Sequence, residues 1–541
     1  MSASGWNYGD LLDALDAAVP PNSPALIHGT LIRTWAEFSA RSNNLGRHFI
    51  EHGFVPDTKV AFYLRNSPAY SELLAACFKA RLVHVNVNYR YVADELHYIF
   101  DNSDARIICY DREFAPQIDA LRSRLPKVGL WLEVGDGEPL NNFAESFDAL
   151  AATGAGAPLA IERSEEDLLL LYTGGTTGMP KGVMWTQGDH WRIGRAGAAA
   201  SPDGSQPDTP QQHIDNVVRR GPGPCLIPCC PMMHGTGLFS AIAMMTQGGC
   251  ILTLTQPSFD PLELWAAVEQ HRATALAIVG DAFGKPMLKV LDDDPGRFQI
   301  ESLQSMLSSG VMWSPEVKRG LLRHNANMVL TDSFGASEAV GFGRSDTTAE
   351  GTTEIGRFVL GEGCKVFTED FREVQPGSGE VGFVARSGPI PRGYYKDPEK
   401  TAKTFPTVDG VRYSMPGDFC RVEADGSLIL LGRGSVCINT AGEKVFPEEV
   451  EEVLKTHPSV ADALVVGVPD DKWGQMVVAV VEPEPGEHPA PDVLKAHARE
   501  QLAGYKTPKQ VLLKDDLERA SNGKANYKVV TAYARAQLGA D

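Results

Sequence analysis

With 541 residues the chain is too long for one ordinary hydrophobic core, so two or more domains are expected. Hydrophobic residues make up 43% and charged residues 22%, the balance of a soluble globular protein. The net charge of −19 argues against a nucleic-acid binder, which needs a basic face; any anionic nucleotide must be met by cations concentrated locally, a metal ion among them.

The N-terminus has no basic region followed by an apolar core, and no run of 18 apolar residues occurs. Even Ala241-Ile242-Ala243-Met244-Met245 stops at Thr246-Gln247-Gly248-Gly249. A cytoplasmic protein without a transmembrane segment is the expectation. The nine cysteines, odd in number and scattered, read as reduced thiols. Cys225, Cys229, Cys230 and His234 meet no standard zinc spacing, so no zinc site is expected there.

Helical and strand-like segments alternate, the pattern of an α/β protein. Residues 38–53 read as a helix, 59–64 as a strand, 69–81 as a helix, and 83–87 and 105–109 as strands. Leu168-Leu169-Leu170-Leu171 is the apolar run of a buried strand. Then comes Tyr172-Thr173-Gly174-Gly175-Thr176-Thr177-Gly178-Met179-Pro180-Lys181-Gly182, before Val183-Met184-Trp185 resumes. The glycines let the backbone turn tightly and bring its N–H groups close to a ligand. Thr173, Thr176 and Thr177 add hydroxyls, and Lys181 adds a cation. Such a loop suits a polyphosphate. The Walker template fails, because Lys181 stands between Pro180 and Gly182 instead of opening a helix as Gly-Lys-Ser/Thr.

Residues 198–223, rich in Gly, Pro, Ser, Asp and Gln, read as a long surface loop. A strand at 225–228 leads to Pro231-Met232-Met233-His234-Gly235. A strand at 303–307 closes on Ser309-Gly310-Val311, and one at 328–330 precedes Asp332-Ser333-Phe334-Gly335-Ala336-Ser337-Glu338. There an aromatic ring beside a glycine can cover a flat base, and a carboxylate can hold Mg²⁺ through oxygen. Ala339 stands where a hydrolase nucleophile elbow requires glycine. Gly377-Ser378-Gly379-Glu380-Val381-Gly382 matches a dinucleotide fingerprint by letter only, since 383–386 reads as a strand. A composition change at 432–445 marks a domain boundary. Beyond it, helix 447–456, strands 463–466 and 476–481 and helix 491–502 make a small α+β domain of roughly 100 residues. Pro447 and the acids after it suit a helix start.

The loop at 172–182 resembles the signature of the adenylate-forming superfamily: acyl-CoA synthetases, firefly-luciferase-like enzymes and nonribosomal-peptide adenylation domains. Further motifs follow in the family's order, and the likeness spans residues 30–530. It implies an α/β fold with a large N-terminal adenylation domain (1–433) of stacked subdomains and a β-barrel-like portion. A small mobile α+β C-terminal domain (434–541) completes it. The substrates implied are ATP, coenzyme A and a carboxylic acid, with Mg²⁺ as cofactor.

By that resemblance Thr173, Gly174, Gly175, Thr176, Thr177 and Lys181 hold the phosphates, and Thr173 and Glu338 hold magnesium. Phe334 stacks on adenine, flanked by Asp332, Ser333 and Gly335. Ser337, where the family more often has Thr, keeps a hydroxyl near the α-phosphate. Ser309 and Gly310 line adenine and the acyl pocket. His234 borders the carboxylate channel as a gate; a general base is not needed, because the acid is already ionised at neutral pH. Asp418 accepts the ribose hydroxyls, with Arg433 beside it on the ribose or phosphate side. Gly442 and Lys444 belong to the coenzyme A tunnel. Lys524 reaches between the carboxylate and the α-phosphate, where charge builds in the transition state. One departure is Ser435, at a hinge position that usually carries Asp or Lys.

The reaction implied is carboxylate attack on ATP to give acyl-AMP and pyrophosphate, then thioester formation with coenzyme A. The wording at 174–175, 279–283 and 434–439 looks most like actinobacterial long-chain and steroid side-chain CoA ligases. A ligase for a medium-chain or aromatic acid stays open, as do a standalone adenylation enzyme loading a carrier protein, a non-catalytic nucleotide binder and a hydrolase using Ser337. A homodimer is likewise left open.

Overall fold

The computed structural model describes residues 5–91, 93–173, 179–195, 201, 203–221, 223–311, 313–351, 356–433, 436–440, 443–470, 474–502, 504–519 and 523–540. The chain divides into two compact units, Met1–Thr353 with Ser387–Ser414, and Glu354–Arg386 with Met415–Asp541.

Two sheets build the first unit. One runs in the order Gly393–Tyr394, Lys181–Thr186, Leu168–Thr173, Val83–Asn86, Lys59–Tyr63, Ala105–Asp111, Leu130–Val134, Glu145–Ser146. Its pairings are parallel from Leu168–Thr173 onward and antiparallel before it. The other runs Ala339–Thr347, Val329–Ala336, Ser305–Ser309, Ala275–Ile278, Cys225–Pro228, Cys250–Thr253, Pro24–His28, Leu31–Thr34. It is parallel inside and antiparallel at both ends.

Strand alternation explains how the sheets pack. Every residue of Lys59–Tyr63 is buried. Val60 and Phe62 face a core shared with Leu12, Leu73 and Phe78 of the helices Tyr8–Ala18 and Pro68–Lys79, while Ala61 and Tyr63 face a second core on the opposite side. Successive side chains of a strand point to opposite faces, and a parallel sheet is covered on both. The first core also takes in Leu26, Leu226 and Ile251 of the other sheet. Helix Trp35–Glu51 starts ahead of its apolar periodicity because Thr34 and Glu37 form a reciprocal capping box.

Residues 198–223 depart from the long surface loop expected there. Pro210–Arg220 is a helix, capped by the Thr209 hydroxyl, with Ile214 and Val217 buried on one face. His213 Nε2 lies 2.7 Å from the carbonyl oxygen of Thr246. The flanking Gly, Pro and Asp residues hid the spacing of those two apolar positions.

In the second unit, five strands pair antiparallel in the order Cys364–Phe367, Val381–Arg386, Asp418–Val422, Leu428–Arg433, Arg357–Leu360. Gly377–Gly382 leads into the second of these strands and opens no helix. A further sheet runs Glu443–Val445, Ile438–Thr440, Gly474–Pro483, Val460–Asp470, with Gln510–Leu513 parallel to Gly474–Pro483. Val465, Ala479 and Val481 share a core with the helices Pro447–Lys455 and Pro491–Gln501. Leu464, Val466, Val478 and Val480 share another with Val530 and Ala534 of helix Tyr527–Leu538. This is the small α+β region read from the sequence. No described helix is long and apolar enough to cross a membrane.

Candidate active site

Leu168–Thr173 and Lys181–Thr186 form a hairpin in which Thr173 sits opposite Lys181. Gly174, Gly175, Thr176 and Thr177 lie outside the described residues. Lys181 is ion-paired with Asp397, which also caps helix Pro398–Thr404 by accepting the Lys400 amide at 2.8 Å. Lys181 first, and then that amide, hold the Asp397 carboxyl below its usual range. Because the pair is part-exposed, it is worth at most about 1 kcal/mol. A phosphate can therefore take the lysine over at little cost.

His234 stands at the N-cap of helix Gly235–Thr246. Three side chains hold the turn before it. Asn66 donates to the carbonyls of Pro228 (3.1 Å) and Cys230 (3.0 Å) and accepts from the Met232 amide at 2.6 Å. Tyr70 donates to the Met232 carbonyl at 3.1 Å. Asn86 donates to the carbonyls of Met233 (2.7 Å) and Tyr172 (2.9 Å) and accepts from the Tyr172 amide at 2.6 Å. Asn86 thus ties the turn before His234 to the hairpin Leu168–Thr186. Sequence reasoning missed all three. The available signal was a polar residue inside the apolar run Val83-His84-Val85-Asn86-Val87, which burial allows only with hydrogen-bond partners.

Ser309 and Ser333 lie in register on adjacent strands, and the Ser309 hydroxyl donates to the Ser333 carbonyl at 2.8 Å. Gly310, just beyond, adopts φ +92°, a backbone that favours glycine. Asp332 is buried against Lys318 at 2.5 Å; burial pushes its carboxyl up and Lys318 opposes that rise. Phe334 packs on Phe342 with ring centroids 5.3 Å apart. Strand Val329–Ala336 carries these residues further into the sheet than the expected strand at 328–330. It turns back at Ser337 and Glu338. A Cβ on Gly335 would meet the Ala339 carbonyl at 3.0 Å, so the tight return explains that glycine.

Three side chains from distant segments fix the Ser337-Glu338 turn. Trp185 Nε1 donates to the Ser337 carbonyl (2.9 Å), Ser414 Oγ to the Glu338 carbonyl (2.7 Å), and Tyr394 Oη to Glu338 Oε1 (2.7 Å). A Cβ on Gly235 would lie 3.4 Å from Leu171 and 3.8 Å from the Ser337 hydroxyl. The hairpin, helix Gly235–Thr246 and the Ser337-Glu338 turn therefore converge.

Beside them opens a cavity of about 60 Å³, lined by Tyr8, His190, Trp191, Phe239, Ile242 and Val340 among others. Phe239 and Ile242 lie on helix Gly235–Thr246 beyond its glycine start, so one helix edge leads from Ser337 into the apolar space. At 1.5 Å rise per residue that edge is about 16 Å long.

In the second unit, Asp418 is buried and in register with Arg433 on the adjacent strand. The Arg433 and Lys444 side chains, and Ser435 and Gly442, lie outside what is described; Lys444 belongs to strand Glu443–Val445. Lys524 is exposed, shortly before helix Tyr527–Leu538. Among the described residues, the His, Cys and acidic side chains that converge as a metal-sized group are His48, His52 and Glu145, not the run from Cys225 to His234. Strand Glu145–Ser146 is five strands away from Leu168–Thr173, about 24 Å at ordinary strand spacing.

Residues 14–395 match the AMP-binding enzyme family and residues 449–524 match the AMP-binding enzyme C-terminal domain. The chain belongs to the AMP-binding enzyme family, on its acyl-CoA ligase branch. It is 39% identical over 532 residues to a medium/long-chain-fatty-acid–CoA/3-oxocholest-4-en-26-oate–CoA ligase of Mycolicibacterium smegmatis, covering 96% of this chain and 95% of that one. A 3-oxocholest-4-en-26-oate–CoA ligase of Rhodococcus rhodochrous is 38% identical over 542 residues, with 98% and 96% covered. ATP-bound MatB from Rhodopseudomonas palustris shares the fold, with a TM-score of 0.81 at 24% identity and 99% of each chain covered.

Proposed function

We propose that this AMP-binding enzyme activates a bulky apolar acid, a long-chain fatty acid or a steroid side-chain acid, by way of acyl-AMP and passes the acyl group to coenzyme A. The observation that carries this reading is the run from the Ser337-Glu338 turn, along helix Gly235–Thr246, into the apolar cavity. A carboxylate at the polar end has its hydrocarbon directed toward Phe239, Ile242 and Val340. The glycine start of the helix leaves room where the two meet.

The residues at the polar end suit the nucleotide step. Lys181, lightly held by Asp397, meets phosphate charge; the Ser337 hydroxyl and the hairpin amides position it. Catalysis here is chiefly positioning and charge stabilisation. The oxygens of Glu338 and Thr173 are the hard donors that magnesium takes; among the described residues Tyr394 engages one Glu338 oxygen, and no hydrogen bond engages the other. Held by those two residues, magnesium would neutralise phosphate charge. In the second unit, Asp418 and Arg433 suit the ribose, Lys524 the reacting carboxylate and α-phosphate, and Gly442 and Lys444 coenzyme A after rotation about 433–435.

A panel of carboxylic acids, assayed for AMP production that requires both ATP and coenzyme A, tests the reading. Long-chain and steroid side-chain acids are expected to lead the panel. AMP formed equally well without coenzyme A, or only with a pantetheinylated carrier protein, would overturn it.

A further inference from the structure

The cavity is lined mainly by apolar side chains; of its polar ones, Thr246 donates its hydroxyl to the carbonyls of Ile242 and Ala243, Gln247 Oε1 accepts from Arg220, and His190 stands apart from both. His190 is 5% exposed and packs among Trp185, Phe239 and Tyr8, with the Phe239 ring centroid 4.2 Å away. Its Nδ1 lies 2.5 Å from the Tyr8 hydroxyl. Burial pushes the imidazole down to about 3, so the ring is neutral throughout the working range.

The tautomer follows from counting donors. Tyr8 is buried, and among the described residues its hydroxyl meets only His190. If Nδ1 carried the proton, the tyrosine O–H would be a buried donor without an acceptor, which costs about 1–3 kcal/mol. Tyr8 therefore donates to Nδ1, and the ring proton resides on Nε2. Among the described residues Nε2 has no partner, yet it is not one of the sealed polar atoms; its open edge gives onto the cavity that His190 lines. The wall thus presents a neutral N–H donor, held in one orientation by Tyr8, among mainly apolar side chains.

We propose that His190 is a specificity-determining residue whose Nε2–H, fixed by Tyr8, hydrogen-bonds an acceptor oxygen carried by the acyl chain, so that the preferred acids bear an oxo group on an otherwise apolar skeleton. This rests on the cavity being the acyl site. Phe239, which touches His190, is one helical turn from Gly235, about 6 Å along the axis. The oxygen therefore belongs on the part of the chain near the gate, not at its far end. With a plain hydrocarbon, the donor loses water and gains nothing. A site built to donate a hydrogen bond discriminates more strongly than one that only measures size.

The test compares dodecanoic acid with a set of oxododecanoic acids in which the ketone moves along the chain. Two quantities are read on the full-length enzyme: kcat/KM for AMP formation with coenzyme A, and affinity from quenching of tryptophan fluorescence. The expected result is a preference of about 10- to 100-fold for one or two oxo isomers over the parent acid, in both quantities. In His190→Phe the oxo-to-parent ratio falls to about one. In Tyr8→Phe, which frees the ring to turn and exchange tautomers, it falls part-way. No isomer preferred over the parent, or a preference that survives His190→Phe, overturns the inference. Turnover without oxo selectivity leaves the ligase reading standing and removes this one; oxo-selective binding without any CoA-dependent AMP does the reverse.

Discussion

Tyr394 and Glu338, 56 positions apart in sequence, meet through a 2.7 Å hydrogen bond from the phenol to one carboxylate oxygen. The phenol fixes which way the carboxylate faces. A partner that orients a metal-binding carboxylate commonly sets metal affinity by about 10- to 100-fold. Tyr394→Phe should therefore raise the Mg²⁺ concentration needed for half-maximal pyrophosphate release by that order while leaving the fold intact. Glu338→Gln should be more severe. An unchanged Mg²⁺ titration in Tyr394→Phe would remove Glu338 from the proposed metal site.

Asn86 makes three hydrogen bonds that join the turn before His234 to the hairpin Leu168–Thr186. Asn86→Ala leaves the Tyr172 amide and the carbonyls of Tyr172 and Met233 without that partner. The expected loss is about 2–4 kcal/mol, seen as a lower thermal midpoint. Pyrophosphate release should fall as well, because the side chain links two walls of the site. A variant with wild-type melting but slow adenylation would show that the clamp positions the gate without stabilising it.

What could be read in the sequence was whatever is concentrated in neighbouring residues. Glycines, threonines and a lysine from Thr173 to Gly182 suggest a phosphate loop because one short segment supplies every donor. The α/β alternation is legible for the same reason, since strand and helix periods are local. The supports of the site are not local. Asp397 lies 216 residues from Lys181, and Ser414 lies 76 from Glu338. Each is an ordinary turn or loop residue until the chain folds. Helix Pro210–Arg220 was hidden differently: its two buried apolar residues sit within a stretch whose composition is that of a loop.

Glu451 gives the C-terminal region a pH dependence. It is buried, accepts from the Val465 amide at 2.8 Å and from the Tyr527 hydroxyl at 3.0 Å, and burial pushes its carboxyl up to about 7 against the pull of Lys455. Between the unfolded value near 4.5 and that raised value, the folded state holds a proton that the unfolded state has lost. The contribution is complete below about pH 4.5 and disappears as pH rises through 7, amounting to about 3 kcal/mol. Hydrogen-exchange protection of strand Val460–Asp470 should accordingly decline from pH 5 to pH 8. Glu451→Gln should flatten that slope. A slope of the opposite sign would mean that the carboxylate is ionised in the folded protein.

Lys524 is the sharpest test of the two-step scheme. An exposed lysine near a chain end is ordinarily a solvated charge, and then its removal changes neither step. If its ammonium instead meets the charge that develops between the carboxylate and the α-phosphate, only the first step depends on it. Loss of such a group typically costs about 10²- to 10³-fold. Lys524→Ala should therefore slow pyrophosphate release by that amount while thioester formation from supplied acyl-AMP and coenzyme A stays near wild type. Lys524→Arg, which keeps the charge but changes its shape and reach, should recover part of the first step and leave the second untouched. Equal losses in both half-reactions would assign the lysine to holding the adenylate or to the fold, and would break the link between this residue and the adenylation transition state.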